Sequence, residues 1–333
     1  MHYNHPLVSL LLVGCVLSSC QDHRTITTIQ PTITTLATGL VGGIGVETDA
    51  SGRVFVSEQG TGANDGRVSE VTPDGNVNPI VTGLYSFKRP DNELDATDHL
   101  LVADGMLYIL NAKGLYTLSL ASIKTGNAPI AASSLTPELI QQFVIDHTFA
   151  QDTGESHLYN MTLGPDGAIY FTDAAANAII RRSKTGQLSV VTAVPGIANP
   201  TPVGPLNIQS VPTGITYDSQ QFAISTLLGF PFPAGKAIVY RMDLTGKTSV
   251  FQQTFNSLVD IENDGAGNYL VLEFATFGAQ GFAPKTGRLL RARGTSSDLI
   301  VDKLNMPTDL KVADNHTAYL VSMGDGTLSK ITF

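Results

Sequence analysis

Met161-Thr162-Leu163-Gly164-Pro165-Asp166-Gly167-Ala168-Ile169-Tyr170-Phe171-Thr172-Asp173 is the stretch on which the fold turns. A short strand runs into a Gly-Pro-Asp-Gly turn, a β-branched and aromatic strand follows, and a polar residue closes the phrase. Residues 46–58 repeat it with Asp49-Ala50-Ser51-Gly52 at the turn, and residues 261–273 with Asp264-Gly265-Ala266-Gly267. Shorter copies turn at Asp104-Gly105, Ser219-Gln220 and Asp314-Asn315-His316. The six copies stand roughly 50 residues apart, the period of propeller blades.

After most copies comes a second hairpin, turned by Thr72-Pro73-Asp74-Gly75, Lys184-Thr185-Gly186 or Leu244-Thr245-Gly246. Two hairpins make a four-stranded blade, so the sequence predicts an all-β, six-bladed propeller. The last copy supplies only three strands before Phe333, and the β-rich segment 32–37 is free to add the fourth. The N-terminal strand is therefore expected to close the last blade, removing a sheet edge. A single helix is expected over residues 136–143, with Thr136 as its cap and Pro137 in its first turn.

Residues 7–17 form an apolar run too short to span a bilayer but fitting a secretory signal. It leads into Leu17-Ser18-Ser19-Cys20, which resembles a bacterial lipobox. Leu12-Val13-Gly14-Cys15 is a second such reading that cuts the apolar run short, and residues 1–5 lack the usual Lys or Arg. The expected organisation is a lipoprotein signal over 1–19, a tether over 20–30 from an acylated Cys20, and a propeller over 31–333. This places the chain at the cell envelope, on the periplasmic or extracellular side, touching membrane through its lipid only. With Cys15 removed and Cys20 acylated, thiol and Cys-zinc chemistry drop out. The 20 Lys and Arg within a net charge of −9 exclude nucleic acid as a partner.

Three further stretches carry a resemblance. Residues 58–67 read EQGTGANDGR, residues 170–179 YFTDAAANAI, and residues 228–241 LGFPFPAGKAIVYR. With Pro212-Thr213-Gly214-Ile215 they resemble the ScyD/ScyE family, and the blade repeat is similar to NHL-type, gluconolactonase-like and TolB-like propellers. The resemblance implies the fold and an extracytoplasmic setting, without an established catalytic set.

In a propeller the first strand of each blade lines the channel. Aligning the copies on their turns puts Gly45, Asp98, Asn160, Gly214, Asp260 and Asp309 on one ring, with Glu47 and Glu262 two residues further on. Such oxygen donors suit Ca²⁺. Asn160 and Asp260 match metal ligands of the gluconolactonase-like propellers, with Asp309 as a third candidate. That family's Glu near the start of blade 1 is replaced here by Gly42-Gly43. Set against a metal site is the reading that these groups solvate the channel or pair with backbone amides of adjacent blades. The polar residues that end each second strand, Glu58, Asn111, Asp173, Thr226, Glu273 and Ser322, are read as caps for loop amides.

Phe230 and Phe232, held between prolines, either pack over a blade edge or wall a ligand pocket. The histidines fall in no nucleophile or metal motif. Two functions stand in competition: a monomeric, non-catalytic module that binds a small molecule, glycan or protein, and a Ca²⁺-dependent lactonase or ester hydrolase.

Overall fold

Alternation of buried and exposed residues along short, turn-bounded segments gives a molecule built almost wholly of strands, seen here in a computed structural model that describes residues 1–2, 31–90, 92–150 and 153–333. The signal, Cys20 and the tether lie outside the described residues. Among the described residues no helix is long and apolar enough to cross a membrane.

Six sheets follow one another along the chain, each ordered from an inner to an outer strand. The inner strands are Gly43–Thr48, Thr97–Ala103, Leu158–Leu163, Pro212–Tyr217, Leu258–Asn263 and Pro307–Asp314, which open blades 1 to 6. Each inner strand packs against the inner strands of the two neighbouring blades, so the six close a ring. Every repeat turn read from the sequence joins an inner strand to the second strand of its blade. In blade 6 the N-terminal strand Thr32–Thr38 pairs antiparallel with Thr327–Thr332, Ile33 opposite Ile331, as expected. The first and last of the described strands thus share one sheet, which ties the ring shut.

The core is divided into six clusters, one between each pair of adjacent blades. Phe55, Leu100 and Leu107 pack between blades 1 and 2, and Leu110, Met161 and Phe171 between 2 and 3. Tyr170, Ile215 and Phe222 fill the third gap, and Val239, Ile261 and Tyr269 the fourth. Leu272, Leu310 and Leu320 then Val46, Val56 and Val321 complete the circuit. Since each cluster draws on two blades, no blade buries its apolar faces alone.

Two expectations fail in blade 2. It has three strands, not four, because the chain after Gly114–Ser119 departs and lays Ile130–Ala131 parallel to the outer strand of blade 1. The helix begins later than expected and covers only Gln141–Ile145. Glu138 instead exchanges two backbone hydrogen bonds with Leu115, each of 2.9 Å, standing in for the missing outer strand. The edge of the blade competes for that backbone and wins over the Thr-Pro helix signal.

Candidate functional site

Each inner strand is interrupted close to its start by a register shift against the second strand, and that of blade 6 has another between Val312 and Asp314. A bulge of this kind bends the strand and re-aims its side chains. Beyond it, Gly45, Asn160, Asp260 and Asp309 stand at equivalent positions, opposite Ser57, Thr172, Leu272 and Val321. In blade 2 pairing resumes at Leu100 opposite Ile109, matching Val46 opposite Val56. The ring position in blade 2 therefore belongs to His99, and Asp98 falls in the bulge. The bulge adds one residue here as in the other blades, but His99 stands six residues before its turn glycine, Gly105, where Asn160 and Asp260 stand seven before Gly167 and Gly267, so an alignment on the turns lands one residue early, on Asp98.

The ring is buried and crowded, and Asn160, Asp260 and Asp309 also edge a small polar cavity of about 70 Å³. Asn160, Asp260, Asp309 and His99 are all buried. Asn160 Nδ2 donates to Asp260 Oδ1 at 3.1 Å. The remaining contacts join blade to blade. Asp260 Oδ2 accepts the Leu310 amide of blade 6 at 3.0 Å, and Asp309 Oδ2 accepts the Val46 amide of blade 1 at 2.6 Å. Thr308 Oγ1 donates to the Gly43 carbonyl, and Ser57 Oγ of blade 1 to the Asp98 carbonyl of blade 2. His99 Nδ1 meets the Tyr159 carbonyl of blade 3 at 2.8 Å, Thr172 Oγ1 the Thr213 carbonyl of blade 4, and Thr213 Oγ1 the Leu258 carbonyl of blade 5. Every blade boundary is crossed by at least one such bond close to the axis.

Two ring positions are glycine because there is no room for more. A Cβ on Gly214 would come within 2.5 Å of the Ile261 nitrogen and 2.6 Å of Asp260 Oδ1. On Gly45 it would meet Ser57 Oγ at 2.6 Å and His99 Cα at 2.9 Å. The inner strands approach each other at these points in near backbone contact.

Burial followed by the neighbouring Asp309 pushes the Asp260 carboxyl well above the usual range. Burial likewise raises Asp309, to about 8. Both carboxyls are therefore held toward their protonated forms at neutral pH. Burial keeps His99 neutral, and its hydrogen bond to the Tyr159 carbonyl assigns the proton to Nδ1. His99 Nε2 lies 3.7 Å from Asp309 Oδ1 and has no well-formed hydrogen bond.

One layer further along the channel, Glu47 and Glu262 face a third residue, Lys311, whose Nζ lies 3.0 and 3.4 Å from their carboxyl oxygens. Together with Thr162 and Thr216 they line the same cavity of about 70 Å³. Burial lifts Glu262 to about 7, and the two glutamates hold Lys311 above its ordinary range against the pull of burial. Lys311 was absent from the sequence reading, although it stands two residues after Asp309 just as Glu262 stands two after Asp260.

The gluconolactonase-like resemblance implies a Ca²⁺-type ion at Asn160, Asp260 and Asp309, and these residues do not fit one. All four carboxyl oxygens of the two aspartates already accept hydrogen bonds, from Asn160 and from the Val46 and Leu310 amides. The next layer supplies its own cation, Lys311. Among the described residues no group of three or more His, Cys, Asp and Glu is arranged to hold a metal.

The strand-end residues are caps, as the sequence suggests. Glu58 accepts the Val41 amide and pairs with Arg67. Asp173 accepts from Ser156 Oγ, the His157 amide and the Ala176 amide. Glu273 accepts the Asn256 amide and pairs with Arg288. Asn111 and Ser322 bond loop backbone in the same way, and Thr226 bonds backbone of the neighbouring strand.

Phe230 and Phe232 lie at the upper end, where the inner strands begin and where each second strand loops into the third. Phe232 sits 4.8 Å from Phe277 and 5.0 Å from Phe282, centroid to centroid, joining the loops of blades 4 and 5. Phe230 caps this cluster and is half exposed. Val41, Phe87, Val203 and Leu206 are also exposed on upper-end loops. Between blades 3 and 4 the same end opens into a cavity of about 460 Å³, walled by Phe149, Ala176, Val194, Ile197 and Ile208.

No protein-family model matches the chain, and no curated protein matches its sequence. Solved structures do. The chain is similar to a PQQ-bound aldose sugar dehydrogenase from Streptomyces coelicolor, with TM-score 0.60, 14% identity, and 91% of this chain and 98% of that one covered. It is similar to a gluconolactonase from Xanthomonas campestris, with TM-score 0.58, 12% identity and coverage of 91% and 89%. It is also similar to a catalytically inactive virginiamycin B lyase from Staphylococcus aureus with quinupristin, with TM-score 0.55, 16% identity and coverage of 91% and 100%. At these identities the likeness establishes the six-bladed propeller and no more.

Proposed function

We propose that this chain is a binding propeller of the ScyD/ScyE kind, held at the cell envelope by a lipid on Cys20, whose upper face takes up a small molecule with an apolar body. One observation carries the reading. The polar groups on the axis are consumed in joining blades, whereas exposed apolar side chains and a cavity of about 460 Å³ gather on the upper loops. That volume is the size of a small-molecule site, and its walls set Phe149, Val194, Ile197 and Ile208 beside the polar Asn177, Asn207, Gln209 and Ser210.

The test is ligand-observed NMR with a panel of aromatic fragments, on wild type and on Ala198→Trp, which fills the cavity from its open side. Fragments are expected to bind wild type and to be displaced in the variant. Binding that survives Ala198→Trp but is lost in Asp260→Asn would move the site to the axis. The hydrolase reading is tested beside it. Added Ca²⁺ is expected to leave the melting temperature and the hydrolysis of glucono-δ-lactone unchanged. A Ca²⁺-dependent turnover lost in Asp260→Asn would sink the binding-only reading.

A further inference from the structure

A second group of titratable side chains lies at the upper end between blades 2 and 3, away from the ring. Asp98, displaced from the axis by the bulge, is buried and receives His157 Nε2 at 3.2 Å from the start of blade 3. The histidine's backbone is locked at both sides. Its amide donates to Asp173 Oδ1 at 2.9 Å, and its carbonyl accepts the Ala174 amide at 2.8 Å. The ring is thus oriented by one carboxylate and its main chain by another, while the side chain remains partly open to solvent.

His157 borders a cavity of about 240 Å³ whose other walls include Tyr85, Asp95, Lys113, Gln141 and Ser156. These walls are tied together around the blade 2 cap. Asn111 Nδ2 donates to the Tyr85 carbonyl, the Lys113 amide donates to Asn111 Oδ1, and Gln141 Nε2 donates to the Asn111 carbonyl. Lys113 Nζ lies 4.0 Å over the Tyr85 ring. Both carboxylates on the wall already face a cation: Asp98 is spoken for by His157, and Asp95 stands 3.8 Å from Arg89. The Asp98 charge, aided by Asp173 and Asp95 and opposed by burial, raises His157 to about 9, so that it is an imidazolium at neutral pH. With Nε2 turned to Asp98, Nδ1–H is the donor left over.

We propose that this cavity binds a small ligand bearing a carboxylate, whose oxygens are taken up by His157 Nδ1–H and the Lys113 ammonium. Charge-assisted donors held in place before the ligand arrives are what recognition of an anionic oxygen requires. The site is separate from the cavity between blades 3 and 4, so the two stand or fall independently.

The test is histidine-selective proton–nitrogen NMR of the full chain at neutral pH, titrated with D-glucuronate and, in parallel, with its uncharged counterpart D-glucose. Glucuronate is expected to move the His157 ring resonances while glucose leaves them in place. Lys113→Gln and His157→Gln should each weaken the effect at least about tenfold. Lys113 meets the Tyr85 face and solvent, so its variant should fold normally, and an unchanged melting temperature checks this. An equal response to both sugars, or a glucuronate response intact in Lys113→Gln, would overturn the proposal.

Discussion

The propeller buries two sets of carboxylates, one at the ends of second strands and one on the inner strands at the axis, and they are kept in opposite ways. At the strand ends, Glu58 and Glu273 are fully buried and each is met by an arginine, Arg67 and Arg288. Asp173 lacks an arginine but receives two amides and a hydroxyl. On the axis, Asp260 and Asp309 have no arginine or lysine paired with them, and burial holds both toward their neutral, protonated forms instead. Burial alone therefore does not mark a reactive carboxylate. What marks it is how its charge is balanced, and in both regions the balance serves to hold backbone in place.

The sharpest way to break the axial half of the comparison is to deny the strands their close approach. Gly214→Ala drives a methyl into the Ile261 amide and the Asp260 carboxylate, and neither neighbour is a flexible side-chain tip. We expect a loss of about 3 kcal/mol or more, read by urea unfolding. A loss below about 1 kcal/mol would mean that the ring yields easily, and that its fixed geometry is not what sets it apart from the strand ends.

Much of this was legible beforehand, for a physical reason. Blade count and ring closure follow from turns and from the alternation of apolar residues, both local properties, and 32–37 could be assigned to the last blade because that blade lacked a strand. Asn160 and Asp260 were found because each stands seven residues before its turn glycine, Gly167 or Gly267, and Asp309 stands as far before His316, which keeps the copies in phase. Asp98 was misplaced because the ring residue of blade 2, His99, stands only six before Gly105, so counting back from the turn overshoots by one. The His157–Asp98 pair escaped because its partners are 59 residues apart and meet only across a blade boundary. Lys311 could have been found, since the alignment that produced Glu47 and Glu262 points to it. The missing outer strand of blade 2 could not, because Glu138 carries no strand signature and is recruited by an open sheet edge.

The same chemical change should have unlike consequences in the two regions. Glu273→Gln removes the charge that answers Arg288 and one acceptor at a fully buried site. Breaking a fully buried pair costs about 3–5 kcal/mol, but Arg288 is partly exposed and regains water, so a loss of about 2 kcal/mol is expected. Thermal unfolding at neutral pH measures it, and a neutral outcome would show that the arginines at the strand ends are incidental.

Asp260→Asn, by contrast, should cost less under mildly acidic conditions, about 1 kcal/mol for one lost acceptor, because the carboxyl it replaces is already held toward its protonated form. Asn160 and Leu310 reach different oxygens of Asp260, so the amide keeps one of these bonds and turns its NH₂ toward the other donor. The difference should emerge as the pH rises. In the unfolded chain the aspartates release their protons near the ordinary value of 3.8, while in the folded ring Asp309 keeps its proton until about 8 and Asp260 is raised as well. Across that window the folded state binds more protons, so wild-type stability falls with increasing pH and levels off above it. Glu262, raised to about 7, and His157, raised to about 9, add slopes of the same sign in their own ranges and are untouched by the substitution. Asp260→Asn should therefore flatten the curve without abolishing it, crossing above wild type toward pH 8. If the two curves of stability against pH superimpose, the axial pair holds no proton, and it belongs with the strand-end carboxylates after all.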